Sequence, residues 1–242
     1  MLRSGNPALR GNIFMQAGVQ SGEGAMTIQG TVNKTFALLV ISMLMAFWSW
    51  GSPQASAPLL FPALIGGLIV AIVTVFKKEW SAVTAPIYAA LEGVVLGVIS
   101  LAFEQAYPGV VKQAVTLTFG VLFSLLIVYK SGVIKVTENF KMGVFAATGG
   151  IALFYLISMV ASLFGARFTI IYGNGLISIG FSVFVVVIAA LNLVMDFDFI
   201  EKGAEYGAPK YMEWYGAFGL MVTLIWLYLE ILRLLAKLQS RR

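Results

Sequence analysis

The chain has 242 residues, with 16 Lys and Arg against 11 Asp and Glu, giving a formal net charge of +5. Hydrophobic residues make up 60% of it and charged residues 11%, against about 25% charged in soluble domains, so the composition excludes a soluble fold and indicates a polytopic membrane protein. Cys and His are both absent, which removes disulfides, thiol nucleophiles, the usual zinc sites and imidazole acid–base chemistry.

Residues 1–30 are polar (SGNPALRGN, QSGEGAM) and are expected to form a flexible cytoplasmic tail, leaving 31–242 as one transmembrane domain. The first apolar segment runs from Phe36 to Trp50. The SPQASAP that follows resembles a signal-peptide cleavage site, but the long polar leader and the pair Trp48 and Trp50 fit an interface anchor better. Further segments run from Leu59 to Val75, Pro86 to Phe103, Ala114 to Tyr129, Gly143 to Leu163, Leu176 to about Asp196, and Trp214 to Leu235. Turn-forming stretches (KKEW, YPG, YKSG, YGNG, GAP) separate them, and Trp80, Tyr107, Tyr129, Tyr172 and Tyr211 stand at their ends as an aromatic belt requires. Continuous apolar runs of this length are helical in lipid, because a helix satisfies its own backbone. The predicted fold is an all-α bundle of seven transmembrane helices.

Lys and Arg set the orientation. The N-terminal side and the even-numbered loops carry Arg3, Arg10, Lys34, Lys77, Lys78, Lys130, Lys135, Lys141, Lys202 and Lys210, whereas the opposite loops carry Lys112 and Arg167. This favours a cytoplasmic N-terminus. Arg233, Lys237, Arg241 and Arg242 at the C-terminal end oppose that count. Positive charge so placed serves topology and does not indicate a nucleic-acid partner.

Acids at membrane depth cost roughly 2.5–3.5 kcal/mol each on insertion scales and call for a partner or a function. Asp196 is predicted to end the sixth helix, with Asn192 one turn earlier on the same face and Asp198 just beyond, the latter answered by Lys202 or Lys210 in the plainer reading. Glu230 lies inside the last helix on a line with Gly219 and Thr223, a stripe expected to face inward. Its plainer reading is a local pair with Arg233. Glu92 sits in PIYAALEGVVLGVIS, isolated from any cation in its own span and beside the close-packing motif Gly93-x-x-x-Gly97. It is expected to be neutral or paired with another polar group. Several acids in an apolar bundle without basic partners suggest a path for cations or protons, with at most weak, transient calcium contacts, since a tight calcium site needs about six to eight oxygens.

Several stretches resemble the Bax inhibitor-1-like family of membrane proteins, and more closely a longer bacterial branch of it. They are NPAL, MTIQGTVNKT, PIYAALEGVVLGVIS, IKVTENFKMGVFAATGGIALFYLISM and DFDFIEKGAEYGAPKYMEWYGAFGLMVTLIWLYLEILRLL. The resemblance spans essentially the whole chain. It implies seven helices with a central last helix, in the bacterial plasma membrane, and a proton-regulated calcium leak through an acid ending the sixth helix and one in the seventh. By position these are Asp196 and Glu230, with Glu92 matching an acid followed by Gly in the third helix. The sequence departs from the family in having Glu at 230 for the usual Asp, Asp198 where many relatives carry an amide, and a longer segment between Asp196 and Glu230. With the last helix beginning at Trp214, Glu230 would lie roughly 24 Å along it, and Asp196 toward the opposite membrane face. Direct pairing of the two then requires a deeper start for the last helix, or gives way to a different partner such as Glu213.

The expected function is a pH-sensitive cation leak, calcium favoured through the resemblance. In it Asp196 and Glu230 are gate or proton-sensing acids, Glu92 and Asp198 line the path, and Asn192, Glu213 and Arg233 are supporting residues. The alternative is a non-conducting interaction protein that modulates another membrane protein, such as a membrane-bound protease, through its N-terminal tail. With no metal cluster, serine–histidine pair or paired-aspartate motif in the sequence, neither an enzyme nor a resident cofactor is expected.

Overall fold

The computed structural model describes residues 24–134, 136–165 and 168–241. The described chain is helical, and seven of its helices are long and apolar enough to cross a membrane. They are α1 (Ile28–Gly51), α2 (Leu60–Phe76), α3 (Ser81–Ala106), α4 (Val110–Lys130), α5 (Glu138–Leu163), α6 (Leu176–Glu205) and α7 (Met212–Gln239). Short helical turns at Pro53–Ser56, Ala57–Leu59 and Lys78–Trp80 lead into α2 and α3. Large apolar side chains such as Phe36, Phe61, Phe76 and Leu163 stand exposed on the helices, as a lipid-facing surface requires.

Each predicted segment is present, but the helices outrun the apolar stretches. Hydropathy registers only what lies in hydrocarbon, whereas the hydrogen-bond ladder continues until a cap ends it. Thr27 caps α1 by accepting from the Gly30 amide, and Thr137 caps α5 by accepting from Phe140. The largest difference is in α6, which continues through DFDFIEKGAE to Glu205. Asp196 is therefore an interior residue of α6 and not its last, a correction to the expected boundary.

The helices group into two compact units. One contains α1, α2, α3, the end of α6 from Asp198 and the start of α7 to Val222. Here α1 packs on α3 through the predicted small-residue motif: a Cβ at Gly93 would collide with the Ser42 carbonyl, and one at Gly97 would stand 2.6 Å from Ser49 Cβ. The Ser49 hydroxyl donates to the Val94 carbonyl across the same contact at 2.9 Å. Val94 and Val95 meet Ala63 of α2 in a small apolar core. Thr74 and Thr84 pair at 2.8 Å to tie α2 to α3.

The chain entering α1 is also held in this unit. The Met26 amide donates to the Ala208 carbonyl, Lys210 N–H donates to the Gly24 carbonyl, and Met26 is buried. Gly207, with φ 62°, supplies the left-handed residue that ends α6 and lets the chain turn back toward α7. Residues 24–30, expected in the tail, are thus a strap and the first turn of α1. Residues 1–23 of that tail, with Arg3 and Arg10, lie outside the described residues.

The second unit contains α4, α5, α6 to Phe197, and α7 from Thr223. Ile151, Val185 and Ile188 form its core, with Tyr155, Phe181 and Trp226 packed against them. Phe154 meets Phe181 edge-on at 5.3 Å. The last helix contributes to both units and is the most buried span: 56% of its most apolar stretch is buried, against 17–39% in the other six. Two of the cations that opposed the predicted orientation belong to this helix and not to a tail, since Lys237 is buried and Arg233 bonds to Glu230.

Candidate functional site: intramembrane acids

Glu230 is 2% exposed. In the second unit the Tyr155 hydroxyl of α5 donates to its Oε1 at 3.0 Å, and Arg233 donates to both oxygens at 3.0 and 3.1 Å. Arg233 also donates to the Tyr155 hydroxyl at 2.8 Å, with its guanidinium 5.2 Å from the ring centre. The result is a closed triangle of acid, phenol and guanidinium joining α5 to α7. The i,i+3 spacing of Glu230 and Arg233 is legible in the sequence. Tyr155 is not, because nothing in one helix's pattern names its neighbour on another.

Asp196, in the same unit, is held differently. The Thr223 hydroxyl of α7 bonds its carboxylate, while its Oδ2 is sealed from solvent and has no hydrogen-bond partner. Thr223 precedes Glu230 by seven residues, so Asp196 sits level with a point roughly 10 Å along the helix from Glu230. This corrects the expectation that Asp196 lies toward the opposite face, which rested on α6 stopping at Asp196. Asn192, expected to back Asp196, instead donates to the Thr148 hydroxyl of α5 and to the Ile188 carbonyl, both at 2.8 Å.

In the first unit Glu213 is fully buried at the start of α7. Lys34 and Lys210 both reach its carboxylate, and the Thr27 amide and hydroxyl donate to Oε1 at 3.0 and 2.8 Å. So engaged, Glu213 ties the strap, α1 and α7 together and is not a partner for Asp196. Asp198 pairs with Lys202 at 2.8 Å, one turn along α6. Glu92 is half-buried on α3. It is hydrogen-bonded to Tyr88 one turn earlier and lies against Gly67 of α2, where a Cβ would stand 3.1 Å from its Oε1.

The expectation of acids without basic partners is therefore corrected for two of them, Glu230 and Asp198. Each meets a cation within one turn of its own helix, and Glu213 meets Lys210 and, from 179 residues away, Lys34. Among the described residues no ion pair forms at Asp196 or Glu92, and no three acids gather where they could hold a metal ion.

Seven long apolar helices enclosing buried acids define a polytopic integral membrane protein. The family described as Bax inhibitor 1 like matches residues 6–240, and the chain belongs to that family. No curated protein and no solved structure matches the chain.

Proposed function

We propose that this protein is a cation leak of the bacterial plasma membrane, calcium being the favoured ion, and that Asp196 is the acid through which pH acts on it. The observation that carries the reading is the sealed Asp196 Oδ2, which has no donor and no counter-charge among the described residues. Protons and passing cations compete at such an acid, whereas the oxygens of Glu230 are already taken by Arg233 and Tyr155. Glu230 then acts as a brace that fixes α5 against α7, and Glu92, also without a cation, is a second polar step. An N-terminus in the cytoplasm accords with the loop charges, once Arg233 and Lys237 are assigned to the bundle.

The test is calcium entry into proteoliposomes holding an internal calcium dye, scanned from about pH 6 to 8, the range in which proton-sensing sites operate. Asp196→Asn should remove most of the pH dependence of the flux. Folded wild-type protein with no flux above empty liposomes, for calcium or other cations, would overturn the leak. It would favour the interaction reading, in which deleting residues 1–23, a cut that spares the strap, abolishes partner capture.

A further inference from the structure

The C-terminal end of α7 holds a group of cations that the leak does not use. Lys237 is 6% exposed. Its ammonium donates to the Ser182 hydroxyl at 2.8 Å and to the Ser178 carbonyl at 3.3 Å. Both acceptors are neutral, and Lys237 forms no ion pair among the described residues. A buried charge without a counter-charge is costly. The acids of this unit are Glu138, Asp196 and Glu230: the first pairs with Lys141 at the start of α5, the second is bonded by Thr223, and the third is closed by Arg233 and Tyr155. None of them pairs with Lys237, and the charge of Glu230, shared with Arg233, acts on it only at longer range.

Two further features of this end call for negative charge. Ser178 and Ser182 belong to the first turns of α6, whose leading amides lack acceptors within the helix and carry the positive end of its dipole. Ser178 is 3% exposed, and its hydroxyl is sealed from solvent and has no partner. Helical Cα–Cβ bonds tilt toward the N-terminus, the direction in which those amides lie. The Gln239 side chain donates to the Pro108 carbonyl at 3.4 Å, which brings the start of α4 and its exposed Lys112 to the same end. Exposed Arg241 follows on α7.

We propose that this end of the unit is a binding site for the phosphate of an anionic phospholipid headgroup. Lys237 and the Ser178 hydroxyl are its inner donors, and Lys112 and Arg241 its rim. A lipid phosphate supplies the missing counter-charge and accepts from both the ammonium and the helix amides. It also gives a purpose to C-terminal cations that run against the loop-charge rule for orientation.

The test uses the full chain in neutral detergent, titrated calorimetrically with short-chain phosphatidylglycerol, short-chain phosphatidylcholine and inorganic phosphate. Phosphatidylglycerol should bind about tenfold more tightly than phosphatidylcholine, and Lys237→Gln should lose about tenfold, the equivalent of 1.4 kcal/mol. Ser178→Ala, which has no hydrogen bond to lose and so should fold, should weaken binding several-fold and keeps the test decisive if Lys237→Gln does not fold. Inorganic phosphate binding with the same sensitivity, without the lipid, would keep the phosphate site and assign it to the soluble ion. Equal binding of the two lipids with no phosphate binding, or affinity unchanged in Ser178→Ala and Lys237→Gln, would overturn the proposal.

Discussion

Gly30 leaves open the space that the Glu213 carboxylate fills. A Cβ built at Gly30 would collide with that carboxylate, which is itself fully buried and held by Lys34, Lys210 and Thr27. A flexible carboxylate would ordinarily swing aside, but here each movement breaks bonds inside the protein. Gly30→Ala should therefore lower stability by on the order of 2 kcal/mol, read from intrinsic fluorescence of the 5 Trp residues during thermal unfolding in detergent. In a Glu213→Ala background the same substitution should be nearly neutral, since neighbours that share one contact are not additive.

The α1–α3 contact depends on two missing side chains. At Gly93 the obstacle is the backbone carbonyl of Ser42, and at Gly97 it is the backbone carbonyl of Ala46 together with Ser49 Cβ, none of which yields as a side-chain tip would. Gly93→Ala and Gly97→Ala should each cost about 1–3 kcal/mol. Gly120, with nothing within reach of a Cβ, is the control, and Gly120→Ala should leave the melting temperature unchanged or raise it slightly.

Glu230 and Asp196 should separate by phenotype. Glu230→Gln leaves Arg233 facing a neutral amide inside the bundle and should destabilise by about 3 kcal/mol. Arg233 retains some exposure, which keeps the loss at the low end of that range. Tyr155→Phe removes two hydrogen bonds but no charge and should cost about 1–2 kcal/mol. Asp196→Asn should alter pH response with little change in melting, because its Oδ2 has no bond to lose. Unfolding curves and flux scans on the same preparations decide the matter. A melting loss for Asp196→Asn as large as for Glu230→Gln would reverse the assigned roles.

Orientation has a clean test because the chain contains no Cys. Single substitutions Ser131→Cys, between α4 and α5, and Gly175→Cys, just before α6, should behave oppositely toward a membrane-impermeant thiol reagent. Intact cells should be labelled at position 175 alone, and permeabilised cells at both. The reverse pattern would place the N-terminus outside.

The sequence alone made the class and the number of apolar spans legible, because hydrocarbon admits only self-satisfied helices. It also carried the close approach at Gly93 and Gly97, the pair of Glu230 with Arg233 and that of Asp198 with Lys202, all of which depend on spacing within one helix. It misplaced the end of α6, since hydropathy falls at DFDF while the backbone ladder continues to Glu205. The partners that come from other helices depend on packing. Tyr155 reaches Glu230 from 75 residues away and Lys34 reaches Glu213 from 179, and helical periodicity says which face a residue occupies but not which helix will meet it. That difference leaves Asp196 open while Glu230 is closed, although in the sequence both are acids in apolar surroundings.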